Sequence, residues 1–410
     1  MSTQAFVQSK FAEFYKENAG KIETPTSIER REFGFFLFKE GIMARHKGFA
    51  TVDALRSASK QTVPAHVYYS TAYYEAPEAK MEEKGWLGAD LYFDIDADHI
   101  PTKCGKTHDT WTCKKCDSAD RGAAPAKCPK CGGERFDEKT WCCEVCLESA
   151  KMETMKLVDM LMGDFGFSSE EVHVSFSGNR GYHVHVDTED IRSLDSVGRM
   201  EIVDYVSGIG LEPKLHGLIS NPPKILSGPK LGDVGWRGRI AKGTYEFFQS
   251  STEEDLKRTL LKKKTKAIDE IIKNKNAVLD SWKKSGPWGS IKGVSIEDWK
   301  AIVQRGVEGQ SAKIDTVVTT DIHRLIRLAG TLHGKTGLLK VAFPTDDLEE
   351  FDPLKSAVAF KRGEASIYVE EAPKFRLGEE SFGPFTKQKA ELPLAAALFL
   401  LCKNAASVVD

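Results

Sequence analysis

Residues 89–98 read ADLYFDIDAD, and the reading of the whole chain turns on them. Leu91, Phe93 and Ile95 alternate with Asp90, Tyr92, Asp94 and Asp96, the period of a half-buried strand, which sets Asp94 and Asp96 on one face. Two carboxylates so placed repel and raise one another's pKa unless a divalent cation neutralises them. Mg²⁺ and Mn²⁺ suit such a site, because hard ions take carboxylate oxygens and keep waters that substrate phosphates can replace. Taken alone, the pattern also fits a strand end with solvated acids.

Further along, residues 171–187 read EVHVSFSGNRGYHVHVD, two alternating segments around a glycine-flanked turn, the signature of a hairpin. Val172, Val174 and Phe176, then Tyr182, Val184 and Val186, form an apolar face; His173, Ser175, Ser177, His183 and His185 fall on the other. The turn Gly178-Asn179-Arg180-Gly181 offers backbone N–H groups and a guanidinium, a combination suited to phosphate oxygens.

Between these two stretches lie eight of the nine cysteines, from Cys104 to Cys146. Cys113-x-x-Cys116, eleven residues, then Cys128-x-x-Cys131 matches a zinc ribbon, whose four thiolates close a tetrahedral structural site. Cys104, His108, Cys142, Cys143 and Cys146 supply enough further ligands for a second zinc. Cys402, in an apolar tail, reads as a core residue.

The composition, 41% hydrophobic and 29% charged with a net charge of −2, describes a globular chain and excludes a uniformly basic nucleic-acid binder. With no apolar run of roughly 18 residues and no signal-peptide pattern at the start, the chain is expected in the cytosol, with no membrane contact. FAEFYKENA reads as helix, REFGFFLFKEGIMARHKGF and HVYYSTAYY as strand, and SAKMETMKLVDMLMGDFG as helix. In residues 313–338, KIDTVVTTDIHRLIRLAGTLHGKTGL, the spacing of Ile322, Leu325, Ile326 and Ala329 predicts a helix capped by Thr319 or Thr320, with Asp315 just before it and His333 to Gly337 in a turn just after. Residues 251–310 are charged and helical; eight Lys or Arg between Lys257 and Lys275 suit either phosphate contact or a solvated helix face. Trp282, Trp288 and Trp299 are expected to pack a core rather than stack on bases. The ELPLAAALFLLCKNAASVV tail is an apolar helix that must be buried.

Taken together, D-I-D after an apolar strand, a cysteine cluster, then S-G-x-R-G-x-H-x-H resembles the catalytic small subunit of archaeal and eukaryotic replicative DNA primases, most of all the archaeal members. Residues 313–338 resemble that family's third motif, an Asp opening the segment and H-x-K-T-G closing it, and the stretches at 31–49 and 393–409 are similar to family segments as well. The resemblance implies an α+β fold: a primase catalytic core of mixed sheets flanked by helices, an inserted zinc-binding module and a small helical subdomain. The expected division is 1–103, 147–250 and 311–410 for the core, 104–146 for the zinc insertion and 251–310 for the helical insertion.

Carried over, the resemblance makes Asp94, Asp96 and Asp315 the ligands of catalytic Mg²⁺ or Mn²⁺ and assigns Arg45, Ser177, Arg180, His183, Arg327 and His333 to the nucleotide. Arg327 stands where eukaryotic relatives have Lys, and Met43 stands where they have an aromatic. The family zinc would take Cys104, His108, Cys143 and Cys146, with Cys142 as a substitute, leaving Cys113, Cys116, Cys128 and Cys131 for a second zinc. The implied activity is that of a nucleotidyltransferase of DNA replication, making short primers de novo from NTPs or dNTPs on single-stranded DNA with a large-subunit partner in a heterodimer. A gap-filling repair polymerase of the same superfamily and a non-catalytic zinc-ribbon adaptor are the competing readings.

Overall fold

The computed structural model describes residues 1–39, 41–100, 102, 104–221, 224–260, 265–284, 286–288, 291 and 294–409. It divides into two compact units. The first comprises Met1–Met155, Ser168–Met200 and Lys313–Asp410, the second Lys156–Phe167 and Glu201–Ala312.

Two four-stranded antiparallel sheets organise the first unit. In one, the strands run in the order Leu325–Arg327, His66–Ser70, Phe33–Phe36, Met43–Lys47. In the other the order is Val341–Phe343, Val172–Phe176, Gly181–Val186, Leu91–Asp96. The expected hairpin therefore forms, and its second strand pairs with the aspartate strand in a register that sets Gly181 against Asp96, His183 against Asp94 and His185 against Tyr92. Leu91, Phe93, Ile95, Val174, Phe176, Tyr182, Val184 and Val186 are fully buried, so the alternation has one dry face, and each of these side chains contributes about 1.5–3 kcal/mol by leaving water. A one-residue slip would turn all of them outward, so burial fixes which aspartate meets which histidine.

Gly181 is required by this pairing, since a Cβ there would stand 2.0 Å from the Ile95 carbonyl oxygen. Gly178 takes a positive φ of 82° at the turn, where a Cβ would press on His333 at 3.0 Å.

The segment after Asp315 departs from expectation. The helix is confined to Thr316–Thr320, and its N-cap is Asp315 itself, whose Oδ1 accepts from the Val317 and Val318 amides at 3.0 and 3.4 Å. Leu325–Arg327 is a strand, pairing Leu325 with Ser70, Ile326 with Tyr69 and Arg327 with Tyr68. An open edge on the His66–Ser70 strand offers Leu325–Arg327 ladder hydrogen bonds, and that tertiary pairing overrides the helical spacing of the apolar residues.

Elsewhere the first unit follows the sequence closely. The tail helix, Leu394–Cys402, is buried at Leu398, Phe399, Leu400 and Leu401, and Phe399 packs edge-on to Trp141 at 5.5 Å. A small sheet of Ala119–Arg121, Thr110–Cys113 and Phe136–Lys139 carries the ribbon, with Cys113 on its central strand and Cys116, Cys128 and Cys131 in the segments between strands. The second unit is mainly helical, through Gly235–Ser250, Glu253–Thr259, Thr265–Lys273, Lys275–Ser281 and Ile296–Gln310. Trp282, Trp288 and Trp299 are buried together, with ring centroids 5.8 and 5.2 Å apart in succession, so they form its core. Lys257 and Arg258 pair with Glu253 and Glu254 along their own helix, as a solvated face does. Among the described residues no helix is long and apolar enough to cross a membrane.

Candidate active site

Strand register and a helix cap bring the three aspartates onto adjoining backbone. Asp94 and Asp96 share a face of the edge strand, and the Asp315 amide donates to the Asp94 carbonyl at 2.9 Å, seating the third aspartate beside the first. Asp96 Oδ1 accepts from the Asp98 amide at 2.9 Å and Asp315 Oδ1 caps its helix, so each of these keeps its second oxygen for another partner. Among the described residues, no Lys or Arg forms an ion pair with any of the three. Burial, reinforced by Asp96, pushes the Asp94 carboxyl up to about 6, with Asp315 adding to the effect. Hard oxygen donors without a protein cation, at least one of them reluctant to ionise alone, are a donor set that suits Mg²⁺ or Mn²⁺.

Beside Asp94 lie one neutral imidazole, His183, and the cations Arg327 and Lys340, with a second neutral imidazole, His333, near Arg327. His183 Nε2 lies 3.5 Å from Asp94 Oδ1, while its buried Nδ1 meets no protein partner among the described residues. Burial, with Lys340 and Arg327 nearby, holds His183 well below its usual pKa. His333 is likewise kept neutral by burial and by Arg327, and its Nδ1 accepts from the Lys335 amide at 3.2 Å. That bond fixes the tautomer and leaves Nε2–H as a donor. Arg327 donates from Nη1 to the Ser177 carbonyl at 3.0 Å and from Nη2 to the Tyr68 hydroxyl at 3.3 Å, with its buried Nε meeting no partner among the described residues. Ser177 Oγ in turn accepts from the Asn179 and Gly181 amides, both at 3.3 Å, which closes the turn. Thr336 donates to the Gly178 carbonyl, tying the H-x-K-T-G segment to the same turn.

Two expected members of the site are engaged elsewhere. Arg45 makes a two-pronged pair with the fully buried Glu32 at 2.9 and 3.2 Å, and Glu32 also holds Lys84 at 3.3 Å. Arg180 is 1% exposed, and its guanidinium faces the cysteine cluster, contacting Asp98, Asp109 and Cys146 instead of the aspartate face.

Sequence reasoning missed Lys340. Its buried ammonium donates to the Arg327 carbonyl at 2.6 Å and to the Tyr92 hydroxyl at 3.3 Å, and burial beside Arg327 depresses its pKa to about 7. The available signal was a lone cation within LLKVAF. His66 was also missed; it stacks edge-on to His333 at 4.7 Å and accepts the Gly334 amide at 3.3 Å.

Two cysteine clusters fit tetrahedral metal. In the first, Cys104 Sγ lies 3.3 Å from Cys146 and 3.5 Å from Cys143, and His108 Nε2 lies 3.2 Å from Cys143 and 3.6 Å from Cys146. In the second, Cys113 and Cys131 are 3.6 Å apart and Cys116 and Cys128 3.8 Å. These are the edges of tetrahedra whose centre-to-ligand distance is about 2.0–2.3 Å, the bond lengths of zinc to His and Cys. Cys142 stands outside the first cluster. It donates its S–H to the Asn179 carbonyl at 2.9 Å, and burial raises its pKa to about 12.

Comparison with known proteins shows the family of the chain. The family model for the DNA primase small subunit matches residues 133–344. The chain is 36% identical to the DNA primase small subunit PriS of Archaeoglobus fulgidus, covering 99% of both chains. It is 34% identical to that of Methanothrix thermoacetophila, again over 99% of each, and 33% identical to that of Methanococcoides burtonii over 99% of this chain and 98% of the relative. The chain belongs to the DNA primase small subunit family.

Proposed function

We propose that this chain is the catalytic subunit of a replicative primase that begins short primers de novo on single-stranded DNA, joining nucleotides with release of pyrophosphate. The observation that carries the reading is the register pair His183–Asp94, which sets a neutral imidazole against a metal-type carboxylate across one ladder step. Bound by Asp94, Asp96 and Asp315, two Mg²⁺ or Mn²⁺ ions would lower the pKa of an attacking 3′-hydroxyl and neutralise the leaving pyrophosphate.

The chain's own residues supply the rest. His183 and His333, held neutral, donate to phosphate oxygens without competing for the metals' charge, and Arg327 brings a fixed cation whose Nε is still free to donate. With the Ser177, Asn179 and Gly181 amides spent within the turn, the Gly178 and Arg180 amides are the backbone donors that would help hold the triphosphate in line, so catalysis comes from positioning and charge stabilisation. Arg45 lies at the end of this reading: it serves the nucleotide only by sharing itself with Glu32. Zinc at the cysteine clusters is structural, and a primase large subunit is the proposed partner.

The test is synthesis on unprimed single-stranded template, with NTPs and with dNTPs, with and without the large subunit. Products that begin with a 5′-triphosphate support de novo initiation. Extension only of a supplied primer would make the chain a gap-filling polymerase.

A further inference from the structure

The first cysteine cluster and its chain neighbour Cys142 touch the nucleotide turn at two consecutive residues. Cys142, beside the ligand Cys143, donates to the Asn179 carbonyl at 2.9 Å. Arg180 then reaches back, with Nη2 at 3.3 Å from Cys146 Sγ and 3.1 Å from Asp109 Oδ2, and Nη1 on Asp98. Asp109 also accepts from His108 Nδ1 at 2.7 Å and from the Trp141 amide at 2.9 Å, so one carboxylate orients the ligand imidazole and holds Arg180. On the other side, the Asp98 amide donates to Asp96 Oδ1 at 2.9 Å, and the Ala97 amide donates to the Arg180 carbonyl at 3.1 Å.

From this geometry we infer that Arg180 is a positioning residue, a strut through which zinc bound at Cys104, His108, Cys143 and Cys146 holds the nucleotide turn against the Asp96 end of the aspartate strand. Charge explains why the strut is a guanidinium. Three thiolates and a neutral imidazole around a dication leave one net negative charge, and Asp98 and Asp109 add two more. A buried, planar cation with several donors satisfies the thiolate and both carboxylates at once, and its removal leaves buried charge uncompensated. Because Gly181, the next residue, is the one opposite Asp96, a shift of Arg180 is transmitted directly to the register that sets His183 on Asp94. The ribbon cysteines show no such reach: the apolar cluster they join, with Trp111, Ala124 and Phe136, lies within the ribbon.

The inference rests on reading the turn as the triphosphate cradle, and the experiment separates the two ideas. The full chain is prepared with Cys113→Ser and Cys116→Ser, so that one zinc remains, and compared with the same chain carrying Arg180→Gln or Arg180→Lys. Three quantities are read: zinc release to a metallochromic chelator, calorimetric binding of ATP with Mg²⁺, and amide exchange across residues 177–181. Arg180→Gln should release zinc about tenfold faster or more, the usual scale for losing a contact around a metal's ligands, and weaken ATP binding by a similar factor. Arg180→Lys should recover part of both. Stripping zinc from the chain with Arg180 intact should weaken ATP binding and deprotect the 177–181 amides, with both restored by added zinc.

Weakened ATP binding with unchanged zinc release would overturn the inference in favour of a direct phosphate contact. Faster zinc loss with ATP binding and exchange unchanged would reduce the cluster to a local staple, and also overturns it. Should Arg180→Gln not fold, the zinc-stripping arm decides alone. If the intact chain binds no ATP at all, the nucleotide reading fails, while exchange at 177–181 still reports whether zinc holds the turn.

Discussion

The ammonium of Lys340 donates to the Arg327 carbonyl oxygen at 2.6 Å, linking the strand that bears Arg327 to the Val341–Phe343 end of the other sheet. The same ammonium reaches the Tyr92 hydroxyl on the aspartate strand at 3.3 Å, so one buried cation ties three strands at the site. Lys340→Met is expected to keep the apolar stem and lose both bonds, raising KM for nucleotide about tenfold with a smaller change in kcat, the pattern of a displaced binding cation. Steady-state kinetics of primer extension checks this; an unchanged KM would count against the link.

Lys340 also sets a pH dependence with a definite sign. Its folded pKa, about 7, lies below the 10.5 of a free lysine, so between those values the unfolded chain binds more protons. Stability of the wild type relative to Lys340→Met should therefore rise with pH from about 7 towards 10.5 and be flat below 7. Denaturant titrations at pH 6.5 and pH 9.5 measure the difference, and a wild-type advantage that shrinks at the higher pH contradicts the buried, depressed amine.

For Asp94 the sign is reversed. Its carboxyl, raised to about 6 from 3.8, makes the folded chain the stronger proton binder in that window, so stability falls as pH rises through it. Asp94→Asn should thus stabilise the metal-free chain at pH 7 by about 3 kcal/mol, since the shift is about two pKa units and each corresponds to roughly 1.4 kcal/mol. Thermal melts should show a higher Tm for the variant, and Mn²⁺ should raise the Tm of the wild type but not of Asp94→Asn.

Gly181→Ala tests the register. An added methyl would stand 2.0 Å from the Ile95 carbonyl oxygen, so the aspartate strand must move or unpair. A loss of about 3 kcal/mol or more is expected, in the range of strain and overpacking in a core. Equilibrium unfolding checks it, and a variant within about 0.5 kcal/mol of wild type would refute the pairing.

Metal analysis should find two zincs per chain. Cys113→Ser with Cys116→Ser should remove one, and Cys143→Ser with Cys146→Ser the other, because the two ligand sets are disjoint. A wild-type content below two overturns the assignment.

Some of this architecture was open to reading from the residues and some was not, for physical reasons. Strand alternation in 89–98 and 171–187 exposed both the sheet and its polar face, because one side of each strand is dry and the side-chain period is two. The spacing of Ile322, Leu325, Ile326 and Ala329 misled, since an apolar set at helical intervals carries no record of the strand edge at His66–Ser70 that captures Leu325–Arg327. Asp315 was singled out as an aspartate but not as a cap, and a capping aspartate keeps only one oxygen for other work. Arg180 and Arg45 were identified by residue type and position, yet their partners Asp109 and Glu32 lie 71 and 13 residues away, and sequence gives no direction to a guanidinium. Lys340 looked like one cation among many, because burial alone distinguishes it.

The central claim, that Asp94 with its neighbours forms the catalytic centre of a primase, is tested most directly by de novo synthesis on unprimed single-stranded DNA by wild type and Asp94→Asn, each with Mn²⁺ and the large subunit present. Wild type should yield 5′-triphosphate-initiated primers; Asp94→Asn should yield none while still binding nucleoside triphosphate measurably. Near-normal primer synthesis by Asp94→Asn would contradict the account.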